Sequence, residues 1–447
     1  MDGSVGSQVI GTLRVDEVVS AVGRDCPVDG GLARSILWRE LQDEKPARSV
    51  LDAGLVSEFR RGLLDFERPE NREDLPSLLR ALQEAESAIA DVKGEIAARL
   101  GDMREAALAL RASPHATRQL LAQTSTLEDE LGCTREALRD GHLTEQRAKM
   151  IVRETACLSH TLRMQADMEL CANPANIASL GTKELTARVR HIVIRLDQQA
   201  VVNRNRAAAA ARHVSLRPLP DGMCRLFATL PMKPGISVLT ELTREAERLA
   251  GVGEETRGKG ELMADLLVER IIGHPNANNT PLHLNIIMSD TALLGAGNEP
   301  ATILDGNGVG YGVIPAPVAR NMIFEGFDEG KAILRKFYAN PQGELIATTS
   351  KQRFFTGGMA DFLYARDQGI CRTPYCDAPI RHLDHIQPAS QNGPTTLANG
   401  QGLCVTCNET KDAKGWISAV VPGPRHTICI TTPNQHTFHT TAPPPPR

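Results

Sequence analysis

With 447 residues the chain is too long for one ordinary domain and long enough to bury two or three hydrophobic cores. A formal net charge of -4 excludes a globally basic nucleic-acid binder, so any contact with DNA has to be local. No apolar stretch reaches the roughly 18 residues of a membrane span, and Met1 to Gly11 lacks the basic cluster and apolar run of a secretory signal, which predicts a cytoplasmic protein.

In chain order, Leu75, Leu78, Leu79, Leu82, Ala85, Ile89, Val92, Ile96 and Leu100 recur every three or four residues, which predicts a helix over 75–100 with that stripe on a core. Gly141 breaks the pattern. Thr144 stands as an N-cap before a second helix running to about Met168, and a third begins after Thr182 and runs to about His213. Beyond Pro220 the texture changes to strands over 223–230 and 282–288, with two helical patterns between them. The stretch from Gly295 to Gly312 reads as a loop, Pro315 and Pro317 introduce a last helix, and 339–352, with Asn340-Pro341-Gln342-Gly343, reads as a linker. The run Pro443 to Pro446 is a polyproline end that need not pack.

Two features of this region invite a nucleic-acid reading and do not hold it. Residues 183–217 are rich in Lys and Arg, but Arg188, Arg195 and Arg206 fall on one side of a helix and Arg190, Arg204 and Arg212 on the other, flanking Leu185, Val189, Ile192 and Leu196. That is a solvated helix over a core rather than a phosphate-facing one. Gly306, Gly308, Gly310 and Gly312 have no Lys-Ser/Thr after them, so they predict a tight turn and not a phosphate cradle.

The chemistry concentrates near the C-terminus. Four residues separate Cys371 from Cys376 and two separate Cys404 from Cys407, and such paired knuckles predict a structural Zn²⁺ held by four thiolates. Cys26, Cys133, Cys157, Cys171, Cys224 and Cys429 lack ligand spacing and read as plain thiols. A purely structural zinc ribbon has no use for Asp384-His385, Asn399 and Asn408 between and after the knuckles. Phosphodiester cleavage needs a base for water and a cation for the phosphate, and His385 and Asp384 suit those tasks. Adjacent strand residues face opposite ways, so the pair can act separately only if the strand ends or bends there, which Pro388 and Ser390-Gln391-Asn392-Gly393-Pro394 allow. His382 and Trp416 read as surface or packing residues, and Arg381 and Lys411 as the cations placed to hold a scissile phosphate.

The run Cys371-Arg372-Thr373-Pro374-Tyr375-Cys376, Leu383-Asp384-His385-Ile386, Asn392-Gly393, Asn399-Gly400, Leu403-Cys404-Val405-Thr406-Cys407-Asn408, Lys411 and Gly415-Trp416 resembles the HNH nuclease family. The resemblance implies a ββα-metal finger, with His385 as general base, Asp384 and Asn408 as ligands of a catalytic Mg²⁺ or Mn²⁺, Asn399 holding the loop and orienting the histidine, and DNA as substrate. With Asn340-Pro341-Gln342-Gly343, Asp221-Gly222-Met223, Arg206 to Arg212 and the approach to Cys371, nearly the whole chain is similar to actinobacterial proteins that join a domain of unknown function to a C-terminal HNH domain.

The expected fold class is therefore α+β: a variable segment over 1–35, a mainly helical domain with a few strands over 36–340, a linker over 341–360, the HNH module over 361–421 and a tail over 422–447. The helical domain leaves room for a homodimer or a protein partner. The competing reading is a non-catalytic zinc module that binds nucleic acid or protein.

Overall fold

The computed structural model describes residues 51–65, 71–171, 173–219, 222–250, 255–273, 284–295, 297–305, 308–328 and 354–444. The variable segment, Cys26 and the linker over 339–352 lie outside them. The chain divides into two compact units, Met1–Pro76 and Ser77–Arg447. In the first, helix α1 (Ala53–Asp65) leaves Leu55, Phe59 and Leu63 exposed.

Helix α2 (Leu75–Leu100) has the predicted bounds but not the predicted face. Leu79, Ile89 and Ile96 are exposed, while Ser87, Ala90, Asp91, Gly94 and Ala97 are buried. The small residues permit close approach, since a Cβ on Gly94 would lie 2.3 Å from Thr124 Oγ1. Asp91, on the same side, takes Arg135 Nε at 2.8 Å. Apolar periodicity thus gives the helix, whereas steric fit and an ion pair choose its buried side.

Next come α3 (Met103–Ala109), α4 (Pro114–Asp129) and α5 (Gly132–Arg139). Thr144 caps α6 (Glu145–Thr155) as expected, accepting from Arg147 N at 3.4 Å. The helix expected to reach Met168 is two helices, because a turn after Thr155 drives Leu158 into the core before α7 (His160–Cys171) starts. After the short α8 (Ala175–Ala178), the third predicted helix also divides, into α9 (Thr182–Leu196) and α10 (Gln198–Ala210). Asp197 leaves helical space, with φ -153° and ψ 90°, and caps α10 by accepting from Ala200 N at 2.8 Å.

One core joins these helices through Leu131, Leu138, Leu143, Ile151, Leu170 and the stripe Leu185, Val189 and Ile192 of α9. Its arginines answer internal acceptors: Arg190 reaches buried Glu154 at 3.0 Å, Arg204 the Glu154 carbonyl at 2.9 Å, and Arg195 pairs with Glu169. Asp167, from α7, accepts from the amides of Cys133 and Thr134 at 2.7 and 3.0 Å, supplying α5 with the side-chain cap that Leu131 cannot.

Strands β1 (His213–Pro218) and β2 (Cys224–Thr229) form an antiparallel hairpin, followed by the packed pair α11 (Met232–Ala250) and α12 (Lys259–Ile272). A second sheet has the order β3 (Leu284–Ile287), β4 (Ala301–Asp305), β5 (Gly310–Ile314), with α13 (Asp290–Leu293) between its first two strands and α14 (Ala316–Asp328) behind it. The expected loop over 295–312 is therefore largely a hairpin, in which Ala301, Leu304 and Ile314 turn inward. Gly308 and Gly310 serve close packing, the first against Tyr364. A Cβ on Gly310 would meet Gln368 O at 2.4 Å, and one on Gly369 would meet Gly308 O at 2.3 Å.

The C-terminal module comprises α15 (Gly358–Arg366), the antiparallel pair β6 (His382–His385) and β7 (Gly400–Leu403), α16 (Val405–Thr410), and a meander of β8 (Ile417–Val421), β9 (Thr427–Thr431) and β10 (Thr437–Thr441). The reading of 422–447 as a tail is corrected by β9 and β10. Thr-Ile-Cys-Ile-Thr is a central strand whose Ile428 and Ile430 point into a core with Leu108, Ile386 and Trp416. Among the described residues no helix is long and apolar enough to cross a membrane.

Candidate active site and zinc centre

The first knuckle is a tight loop in which Cys376 N donates to Thr373 O at 3.1 Å and Tyr375 adopts a positive φ of 63°. The second begins α16, where Cys404 is the N-cap and its sulfur accepts from Cys407 N at 3.4 Å. All four sulfurs lie within 4.8 Å of one another, with Cys376 Sγ 3.8 Å from both Cys404 Sγ and Cys407 Sγ. A tetrahedron with zinc–sulfur bonds of about 2.3 Å has edges of about 3.8 Å, so the cluster fits structural zinc. Hydrogen bonding within it holds the Cys371 thiol down to about 7, with Cys376 the principal donor, and lowers Cys404 through Cys371, Cys376 and Cys407. Cys376 is pushed up as the sharer of that proton.

The β6–β7 pair sets Asp384 opposite Gln401 and His385 opposite Gly400. β6 stops at His385, and a 3-10 turn over Ala389–Gln391 follows, as the turn-rich sequence predicts. His385 is buried, its ring 4.7 Å from that of Phe355 and its Nε2 2.9 Å from Thr395 Oγ1. Gly400 has to lack a side chain here, because a Cβ would come within 2.9 Å of Leu363 and Phe355. Asp384 takes Lys411 Nζ at 3.0 Å. Helix α16 packs against β6 and carries Asn408, whose Oδ1 is buried without a hydrogen-bond partner.

Residues 371–414, which carry these features, match the HNH endonuclease family model, and residues 78–257 match DUF222, a domain of unknown function. The chain joins a DUF222 domain to a C-terminal HNH nuclease domain. No curated protein and no solved structure matches it.

The HNH domain assigns the chain a nuclease-type, nucleic-acid-directed role in general terms. Within it Asn399 staples a loop: its amide accepts from Gln387 N at 2.8 Å and donates to Gln387 O and Pro394 O at 3.1 and 2.9 Å. Lys411 is buried between Asp384 and Asp412, the latter at 2.9 Å, rather than presented to solvent. Arg381 and His382 are exposed at the start of β6. Trp416 packs in the core of the domain, as expected.

Other residues that position the site escape a reading of spacing. Buried Asp367 accepts from Gly402 N at 2.9 Å and from Arg366 Nε at 2.8 Å, with Arg372 Nε at 3.5 Å. Arg366 also donates to Leu397 O and Gly400 O, at 3.0 and 2.9 Å, and Arg372 to Thr440 O at 3.0 Å. These three side chains tie α15, the knuckle, the Asn399 loop and the C-terminal sheet together. Burial lowers the Arg372 guanidinium to about 10 against the opposing pull of Asp367. His426, bound to Ala398 O at 2.9 Å, is lowered to about 4 by burial, with Arg366 adding to it. Only the Ala-Arg-Asp-Gln-Gly-Ile-Cys-Arg approach to the first knuckle signalled any of this.

Proposed function

We propose that the chain is a metal-dependent endonuclease that hydrolyses DNA phosphodiester bonds, with His385 as general base. The observation that carries this reading is the buried, unpartnered Oδ1 of Asn408, on the helix that packs against the strand of Asp384. The Asp384 carboxylate together with the Asn408 amide oxygen, the latter left without a donor, fits a hard cation such as Mg²⁺ or Mn²⁺. Bound by Asp384 and Asn408, such an ion would supply charge neutralisation for the phosphate and the departing oxygen.

His385 takes the proton of the attacking water. Thr395 holds its ring, and Asn399, by tying Gln387 to Pro394, fixes the loop that delivers Thr395 to it. Arg381 is exposed to receive a phosphate, and Lys411 contributes its charge beside Asp384.

The Asp384–Lys411 pair itself favours a second reading, a non-catalytic zinc module in which an ammonium group rather than a divalent ion neutralises the carboxylate. A plasmid assay separates the two. The zinc-loaded full chain with Mg²⁺ or Mn²⁺ is expected to convert supercoiled DNA to nicked circles, and EDTA to stop it. Single- and double-stranded DNA left intact across several divalent metals would give the second reading the lead.

A further inference from the structure

Helix α16 is six residues long, too short to persist by helix propensity. Its first turn is pinned by Cys404, its N-cap, and Cys407 in the four-cysteine cluster. Its other end is held by a residue 306 positions away: Arg104, inside the DUF222 match, donates to Thr410 O at 3.0 Å.

The surroundings of Arg104 are unusual for a residue of the helical domain. It is 5% exposed, and a buried guanidinium is costly unless compensated. Its compensation is the Thr410 carbonyl at the negative end of α16 and the face of Trp416 at 4.0 Å. Both lie in the C-terminal part of the chain, Thr410 within the HNH match and Trp416 just beyond it, and Asp102 answers the guanidinium from its own segment.

The neighbouring residues fasten the same contact. Asp102 caps α3 through Oδ1, accepting from Arg104 N and Glu105 N at 2.9 and 3.0 Å, and through Oδ2 takes Trp416 Nε1 at 3.2 Å. Glu105 accepts from Thr432 Oγ1 at 2.5 Å and Asn434 Nδ2 at 2.8 Å. Leu108 completes the apolar core with Ile386, Trp416, Ile428 and Ile430. Trp416, Thr432 and Asn434 lie beyond the HNH match, so the C-terminal sheet is the surface on which the DUF222 segment is seated.

We propose that Arg104 is a positioning residue of the nuclease site: from the DUF222 domain it holds the C-terminal end of α16 and so fixes where Asn408 presents its carboxamide. The domain of unknown function thereby supplies part of the nuclease framework. The consequence for Asn408 rests on the endonuclease reading; the anchoring of α16 does not.

The test uses the full chain with Arg104→Met, which removes the cation and its donors, and Arg104→Lys, which keeps a cation with a single donor nitrogen. Zinc content, Mn²⁺ affinity by EPR titration and amide exchange over 405–410 are measured for each. The methionine variant is expected to keep its zinc, exchange faster over 405–410 and bind Mn²⁺ about tenfold more weakly; the lysine variant recovers most of both. A zinc-loaded methionine variant with unchanged exchange and Mn²⁺ affinity overturns the proposal. Should that variant unfold and lose zinc, the lysine variant decides: near wild-type values support positioning by the cation, and a second unfolding assigns Arg104 to bulk packing and overturns it. A wild-type protein that binds no Mn²⁺ sinks the endonuclease reading, and exchange over 405–410 then judges the anchoring alone.

Discussion

In the helical part of the chain Leu131, Leu138, Leu143, Ile151, Ile177 and Leu185 are among the largest fully buried side chains, and they form one apolar core. In the nuclease domain the buried groups include Asp367, Arg372, Asn399, Lys411, the Arg104 donated to it and four thiols. The first region is held mainly by area removed from water, which is additive and tolerant, with a few buried carboxylates, Asp91, Glu154 and Asp167, each answered by its own donors. The second is held by directional bonds and, on the zinc reading, a metal, where loss of one partner strands the others. Stability and site geometry are thus nearly separate in the helical region and nearly the same thing in the nuclease domain.

That contrast can be broken in graded ways. Removing zinc, by strong chelation or Cys404→Ser, should have the largest effect, since structural zinc contributes on the order of 10 kcal/mol. Far-UV circular dichroism and amide exchange are expected to show the domain after α15 unfolding while α4 to α9 keep their protection. A single transition that takes the whole chain down would instead make the helical core dependent on the metal.

Next, Asp367→Ala leaves Arg366 and Arg372 without their shared carboxylate, and a loss of about 4 kcal/mol in the nuclease domain is expected from denaturant melts. A loss under about 1 kcal/mol would mean that water replaces the carboxylate without difficulty. The helical counterpart, Leu138→Ala, should cost about 3 kcal/mol by opening a cavity. Its effect on zinc content and on any nicking activity should be absent.

The smallest effect is expected from pH. His426 is held at about 4 in the folded state, below the usual 6.5, so the unfolded chain takes up the proton first as pH falls. The stabilisation is complete above about pH 6.5 and is lost between there and about pH 4, on the order of 2 kcal/mol. Replacing the imidazole by the non-titrating amide of His426→Gln should flatten that slope, and an unchanged slope would assign it to other groups.

The legible and illegible parts of the chain divide along the range of their interactions. The knuckles, Asp384-His385, Asn399 and Asn408 stand within 38 residues, from Cys371 to Asn408, so spacing exposed the four-cysteine cluster, and the resemblance to HNH nucleases supplied the pair of strands bearing Asp384 and His385. Helix α2 was legible as a helix, yet its buried face was not, because Gly94 against Thr124 and Asp91 against Arg135 are choices made by a distant partner. The divisions at Thr155 and Asp197 were missed because the apolar period runs on through a turn that Leu158 anchors and a cap that Asp197 makes. β9 and β10 were hidden by their threonine-rich composition, which offers only a short apolar alternation. Arg104 was beyond reach, since nothing near it in sequence says that its partners are Thr410 and Trp416.

The central claim is that His385 activates water for DNA hydrolysis beside a divalent ion. Its most direct test compares wild type with His385→Ala in the supercoiled-plasmid assay, both zinc-loaded and shown to be folded, in Mg²⁺ or Mn²⁺ and with an EDTA control. The account predicts nicking by the wild type that falls by a factor on the order of 10²–10⁴ in the alanine variant and vanishes with EDTA. Nicking that survives the loss of His385 undiminished would contradict it.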